Sequence, residues 1–325
     1  MTGRDQKRHY QQLKRLLKMA TIGAGVAAAG TAYASLLEPR TLLIREVDLA
    51  IPTLPPSLDG TRIAFLSDFH LGGPGDPLGT VDRALEALID AQPDIILLGG
   101  DYYDRGMRVF DEPDWSRFPA IAPTVAVPGN HDYHRGQEST ERIFEKLSSS
   151  GITVLRNETS DVTLAGSTVR VIGMDDPYSG YADLDLAQRE AASGQHPRIM
   201  LAHSGLIADD LPEGAADLIL SGHTHGAQIR FSPFRHTGPL DAFWWLDLMK
   251  RQPLSPYRQG FFRVNGSLLY VGNGLGTTSL GLRFLAPPEV AIFRLKAAYG
   301  QASISCDDPE RYVIAGKSRW SFPGV

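Results

Sequence analysis

Short apolar runs, polar loops and stretches at helical spacing follow one another along the body of the chain. Residues 62–67 form an apolar run that ends at Asp68, which predicts a buried strand. Beyond a cap at Thr80, Val81, Ala84, Leu85, Leu88 and Ile89 recur at helical spacing. Residues 94–98 predict the next strand, closed by Gly99-Gly100, and residues 124–127 another, stopped by Pro128-Gly129. A helix from Glu138 to about Ser149 would present Ile143, Phe144 and Leu147. Residues 162–164 and 169–172 flank Gly166-Ser167, the pattern of a hairpin. Residues 198–201 and 217–220 repeat the strand-then-polar-loop order, and short strands recur near Phe261, Leu269 and Val290. This order predicts an α/β fold with added antiparallel strands, in which packed sheets are covered by helices.

The first forty residues break the pattern. Residues 19–37 carry no charge and as a helix would span roughly 28 Å, about the hydrocarbon thickness of a bilayer. Arg4, Lys7, Arg8, Lys14, Arg15 and Lys18 precede this span, against Asp5 alone, while the charges after it are of mixed sign. The positive-inside rule then leaves the N-terminus in the cytoplasm and the body on the outer, periplasmic or extracellular side. Ala32-Tyr33-Ala34 also has the small-residue form of a signal cleavage site, so the span is either a retained anchor or an export signal. The expected organisation is a basic segment (1–18), the span (19–37), a proline-marked lead-in (38–60), a main domain (61–296) and a C-terminal tail (297–325).

Composition narrows the function. With 42% hydrophobic and 21% charged residues, the chain is globular in character, and 325 residues can bury a large core. A single cysteine, Cys306, excludes an internal disulfide framework and cysteine-rich zinc sites. The net charge is −5 although the N-terminal segment is basic, so the body is acidic and a poor surface for nucleic acid.

Five polar clusters close the apolar runs: Asp68-Phe69-His70; Gly100-Asp101-Tyr102-Tyr103-Asp104; Gly129-Asn130-His131-Asp132; His203; and Gly222-His223-Thr224-His225. Open α/β sheets place ligands beyond the carboxyl ends of their strands. Asp68 and His70, like His223 and His225, are two residues apart, so an extended backbone would aim each pair at one place. The set offers carboxylates, an amide and imidazoles without thiolate, which suits manganese, iron, zinc or cobalt. Seven candidate ligands exceed one tetrahedral site and fit two metals sharing a bridge.

In this order the clusters resemble the calcineurin-like metallophosphoesterases. Leu58-Asp59-Gly60, Gly173-Met174-Asp175-Asp176, Gly226-Ala227-Gln228-Ile229-Arg230, and the stretch from Gly274-Leu275-Gly276 to Pro288-Glu289 extend the resemblance to the bacterial membrane-associated branch, over about residues 45–296. The resemblance implies a four-layer α/β/β/α sandwich that hydrolyses a phosphoester or phosphodiester with a dinuclear centre and a metal-bound hydroxide. It implies that Asp68, His70, Asp101 and His225 bind one divalent ion, and that Asp101, Asn130, His203 and His223 bind the other. His131 would protonate the leaving oxygen, Asp104 would orient His131, and Arg105 would either hold phosphate or be a surface loop residue. Asp175 and Asp176 fit a turn or a supporting role, and His134 and His236 fit solvated loops. Residues 243–251, with Trp244 and Trp245, fit either a core helix or a membrane-interface loop. The expected partners are a phosphoester substrate, with or without a lipid, and the bilayer itself. A lipid-linked nucleotide pyrophosphatase of the UDP-acylglucosamine type and a non-catalytic membrane-bound metal-binding protein are the alternatives.

Overall fold

The computed structural model describes residues 3–52, 54–75, 77–104, 110–134, 136–194, 197–230, 256–278 and 280–297, and the backbone of 313–321. Helix α1 (Gly3–Ala32) is 30 residues long, about 45 Å. Residues Arg8–Arg40 form a stretch long and apolar enough to cross a membrane, and almost none of it packs inside the fold. Its C-terminal end is different. The ring of Tyr33 meets Phe284 edge-on with centroids 6.1 Å apart, and the carbonyl of Ala34 accepts the N–H of Arg283 at 2.9 Å. The buried Glu38 accepts the N–H of Ala286 at 2.7 Å.

Among the described residues the body contains two sheets. The first is built from β1 (Leu42–Ile51), β2 (Arg62–Leu66), β3 (Ile95–Leu98), β4 (Thr124–Ala126), β5 (Thr153–Val154), β12 (Glu289–Ala297) and β13 (Val313–Ser321), in the order β13-β1-β12-β2-β3-β4-β5. The second holds β6 (Glu158–Leu164), β7 (Ser167–Gly173), β8 (Arg198–Ser204), β9 (Leu218–Gly222), β10 (Gly260–Val264) and β11 (Ser267–Val271), in the order β10-β11-β9-β8-β7-β6. Strands β2, β3 and β4 run parallel, as do β7, β8, β9 and β11. Such strands are buried on both faces, which is why they read as unbroken apolar runs rather than as alternation.

Among the described residues, three apolar cores separate the layers. Between the sheets lie Ile63, Phe65, Ile95 and Leu97 against Ile199, Leu201, Leu218 and Leu220. Outside the first sheet, Val81, Leu85 and Leu88 of α2 (Pro77–Ala91) and Ile143, Phe144 and Leu147 of α4 (Gln137–Ser149) cover Leu66, Ile96 and Leu98. Outside the second, Leu186 and Ala187 of α5 (Leu184–Ala192) cover Ile172, Met200 and Ile219. The expected α/β/β/α sandwich with an apolar N-terminal helix is the fold.

Some local expectations shift. Helix α2 begins at Pro77, whose fixed φ suits a first helical position. Thr80 lies inside that first turn, where its hydroxyl donates to the carbonyl of Pro39 at 3.3 Å. Residues 42–51, within the stretch read as a lead-in, form β1 and pair in parallel with β12. Residues 313–321, within the stretch read as a tail, pair antiparallel with β1. Residues 243–251, His236 and Arg105 lie outside the described residues.

Candidate metal centre

The loops that follow β2, β3, β4 and β9, together with the end of β8, converge where the carboxyl ends of the two sheets meet. Asp68 and His70 follow β2, Asp101 and Asp104 follow β3, and Asn130 and His131 open α3 (Asn130–Tyr133) after β4. His203 is in the last turn of pleat of β8, and His223 and His225 follow β9. The β8–β9 register shifts between Leu201 and Ser204, at the place from which His203 projects.

The expectation that extended backbone aims the paired residues together is corrected here. Asp68 (φ 53°), His70 (46°), Asp101 (58°), His223 (71°) and His225 (51°) all adopt the left-handed conformation. These positions lie past the strand ends, and Asp and His are among the residues that tolerate the left-handed region. The chain reverses sharply there and brings both members of each pair inward. Strained backbone at several residues of one cluster marks a site held in shape by its surroundings.

Two glycines permit the close approach. A Cβ at Gly129 would strike the backbone and carboxylate of Asp101, and one at Gly222 would strike Ser67 and Asp68. Asp132 holds the same region, because its carboxylate accepts the N–H groups of Gly129 (2.9 Å), Asp101 (3.0 Å) and Tyr102 (2.9 Å).

Ligand-type atoms face one another across short gaps. Nε2 of His70 and Nε2 of His225 are 3.0 Å apart, and Oδ1 of Asp68 is 3.5 Å from the latter. Oδ2 of Asp101 lies 3.3 Å from Nε2 of His70 and 3.3 Å from Nε2 of His203. Oδ1 of Asn130 is 3.1 Å from Nε2 of His203 and 2.9 Å from Nδ1 of His223. Asp68, His70, Asp101, Asn130, His203 and His225 are buried, and His223 is partly exposed. All seven expected ligand residues thus come together. Asp68, His70 and His225 form one group able to hold a metal ion, and Asp68, Asp101 and His203 form another.

The charge balance favours a cation. Two carboxylates are buried side by side, which is costly without compensating positive charge. Burial disfavours a proton on His203, yet Asp101, Asp68 and Asp176 outweigh it and hold its pKa well above the imidazole range. Burial pushes the Asp101 carboxyl up, and the charge and hydrogen bonds of His203 and His70 bring it well below the usual carboxylate range. Asp68 is pushed up, chiefly by burial. His223, partly exposed as a residue, is brought down to about 3 by desolvation of its ring and by the neighbouring His203, and His225, buried and near His70 and Arg283, falls well below its ordinary value. Both therefore present neutral rings. Nδ1 of His203 is 2.7 Å from the carbonyl of Gly99, which can only accept, so that nitrogen donates and Nε2 faces the centre. Convergent oxygen and nitrogen donors with a fixed imidazole orientation fit bound divalent metal.

His131 stands beside this cluster. Its ring packs edge-on against His70 with centroids 4.6 Å apart, and its Nδ1 is 3.5 Å from Oδ1 of Asp104, longer than a good hydrogen bond. Burial opposes its protonation, but the carboxylates of Asp104 and Asp101 outweigh that and raise its pKa above the ordinary value. His134 is exposed, and its ring lies 4.5 Å from that of His131. The Asp176 carboxylate accepts the N–H groups of Tyr178 and Ser179 in a turn, and Tyr133 donates to Asp175.

Three supporting residues have no role in the sequence reading. Asp132 was visible only as the last residue of its cluster. Tyr178 places its ring 4.4 Å from that of His223. Arg283, fully buried, donates to the carbonyls of Asn273, Gly274, Gly276 and Ala286. A lone arginine within the apolar run Leu280–Ala286 was the available signal for it.

Comparison with known proteins agrees with this geometry. Residues 61–227 match the family model described as calcineurin-like phosphoesterase. The metallophosphoesterase YkuE of Bacillus subtilis (strain 168) is 30% identical, over 88% of this chain and 97% of its own length. Phosphodiesterase YaeI of Escherichia coli (strain K12) is 31% identical, over 72% of this chain and 82% of its own length. A transmembrane protein with a metallophosphoesterase domain from Danio rerio is 29% identical, over 78% of this chain and 57% of its own length. The match spans all five polar clusters and most of the body, and the chain belongs to the calcineurin-like phosphoesterase family.

Proposed function

We propose that the protein hydrolyses a phosphodiester, or another phosphoester, with two divalent metal ions held at this centre. The observation that carries the reading is the place of Asp101, whose Oδ2 is equidistant, at 3.3 Å, from a nitrogen of His70 and a nitrogen of His203. In this reading Asp68, His70, Asp101 and His225 hold one ion, while Asp101, Asn130, His203 and His223 hold the other. When bound, such a pair activates water and neutralises phosphoryl charge. Hard oxygen and imidazole donors suit manganese, iron, zinc or cobalt.

The side chains supply the rest. His131 gives a proton to the leaving oxygen, and Asp104 keeps the ring charged and oriented. The 3.5 Å separation of that pair is compatible with this role, because such contacts often tighten only around substrate. Arg105 is assigned to phosphate on the sequence alone. The diester preference is supported by the likeness to Phosphodiesterase YaeI. The catalytic side chains are assigned to residues 61–296, in a unit that also takes in β1 (Leu42–Ile51) of the same sheet.

Helix α1 is assigned as a retained membrane anchor with the body on the outer side. The docking of Tyr33, Ala34 and Glu38 onto residues 283–286 supports retention over cleavage, since cleavage after Ala34 would discard part of a packed joint. The test of function is turnover by the purified full chain supplied with Mn²⁺, on an aryl monoester, an aryl diester and a nucleotide-linked lipid. Hydrolysis of the diester is expected, and failure to hydrolyse any of the three overturns the reading.

A further inference from the structure

A cavity of about 580 Å³ is bordered by Tyr178, whose ring is in contact with that of His223. Among the described residues, Pro177, Tyr178, Ala182 and Leu184 line it from one segment of the chain and Leu206 and Ile207 from another; Asp210 is the charged residue among them. The volume falls within the roughly 300–1,000 Å³ typical of small-molecule sites.

The two segments grow from neighbouring parallel strands, β7 and β8, at the ends that carry the centre. Pro177 directly follows Asp176, and Leu206 is three residues beyond His203. Tyr178 belongs to both places, because it lines the cavity and sets its ring 4.4 Å from that of His223. The loop is held in shape: the Asp176 carboxylate accepts the N–H of Tyr178 at 3.2 Å and that of Ser179 at 2.7 Å. The loop that borders His223 therefore also gives the cavity a preformed apolar surface.

We propose that this cavity binds an alkyl or acyl substituent carried by one of the substrate's phosphate oxygens. The proposal rests on the phosphodiesterase reading above and deepens it by naming a substrate class. Among the described residues the lining presents no cation to a second phosphate, and Asp210 disfavours one, which favours an apolar occupant with the phosphate at the centre. The aliphatic side chains of Ala182, Leu184, Leu206 and Ile207 suit a flexible chain, and a substrate bearing one is an amphiphile that a chain with an apolar N-terminal helix can meet at a bilayer.

The experiment uses the full chain in nanodiscs with Mn²⁺ and a series of methyl, butyl and hexyl p-nitrophenyl phosphodiesters. Burial of each methylene is worth about 0.8 kcal/mol, or roughly a fourfold gain in kcat/KM per carbon until the cavity is filled. Ala182→Phe, which occupies the cavity, and Leu206→Gln, which makes its wall polar, are each expected to lower kcat/KM for the hexyl ester by about tenfold or more. Both should leave the methyl ester within about twofold and so change chain-length discrimination rather than chemistry. A wild-type series with no gain from methyl to hexyl, or an equal gain in both variants, overturns the proposal. So does a thymidine ester preferred over the hexyl ester in wild type but not in Ala182→Phe, which would assign the cavity to a nucleobase. Should no diester be turned over, the functional reading fails by itself. Calorimetric binding of hexylphosphonate against methylphosphonate to the Mn²⁺-loaded wild-type chain still decides the cavity, as equal affinities refute it and tighter hexylphosphonate binding supports it. That comparison also serves if either variant fails to fold.

Discussion

The backbone N–H of His131 donates to Oδ1 of Asp101 at 2.8 Å. One carboxylate therefore performs two tasks: Oδ2 faces the imidazoles of His70 and His203, and Oδ1 fixes the start of α3. The position of the proposed proton donor is thus tied to the residue proposed to bridge the metals. Moving Asp101 would disturb both.

Loss of His131 should separate metal binding from turnover. In His131→Asn the seven proposed ligands are intact, so metal content should match wild type while kcat falls by about 10²–10⁴-fold, the usual range for general-acid loss. The fall should shrink for esters with good leaving groups, which need less protonation. Equal losses across a leaving-group series would exclude the proton-donor role.

Asp132 should prove structural in effect though it lies beside the site. Asp132→Ala leaves the N–H groups of Gly129, Asp101 and Tyr102 without their acceptor in a buried place. Each such group costs about 1–3 kcal/mol, so a loss of at least about 3 kcal/mol is expected in chemical denaturation, together with reduced metal content. Unchanged stability would show that these contacts are replaceable.

Arg283 joins the loop behind Asp68 to the foot of the N-terminal helix. Its guanidinium, fully buried, donates to the carbonyls of Asn273, Gly274, Gly276 and Ala286, and its backbone N–H reaches Ala34. Burial brings its pKa down to about 10, which leaves it charged at neutral pH. Arg283→Lys keeps the charge but cannot reach all of these carbonyls, so it should be destabilised nearly as much as Arg283→Met. Denaturation midpoints of the two variants test this, and full rescue by lysine would show that charge alone matters.

The orientation of the anchor is open to a fusion experiment. Alkaline phosphatase joined after Val325 should be active and galactosidase at the same point inactive, and N-terminal sequencing of the membrane-bound protein should find residues preceding Ala34. The opposite fusion pattern would put the centre in the cytoplasm.

Much of the site was legible because parallel strands bury both faces. Residues 62–66 and 95–98 therefore appear as plain apolar runs, and the polar residues that end them stand out. The pairing of Asp68 with His70 and of His223 with His225 was legible too, but for a different reason from the one the spacing suggests: left-handed turns converge them, and no extended strand does so. His203 was separable from an ordinary buried histidine only through the resemblance, since it has no ligand neighbour in sequence. Strands β1 and β13 were not legible, because their partners are far away along the chain and β1 directly follows an apolar span. Asp132, Tyr178 and Arg283 act through backbone groups and a ring that only the tertiary structure brings near them.

The most direct test of the account is a metal titration of exhaustively chelated full-length protein, with Mn²⁺ content and turnover of an aryl phosphodiester measured on the same samples. The account predicts no turnover without metal, binding that saturates at about two ions per chain, and activity that follows the second ion. It further predicts that His225→Ala lowers occupancy and activity together. Full turnover in the chelated protein, or full activity at a single bound ion, would contradict it.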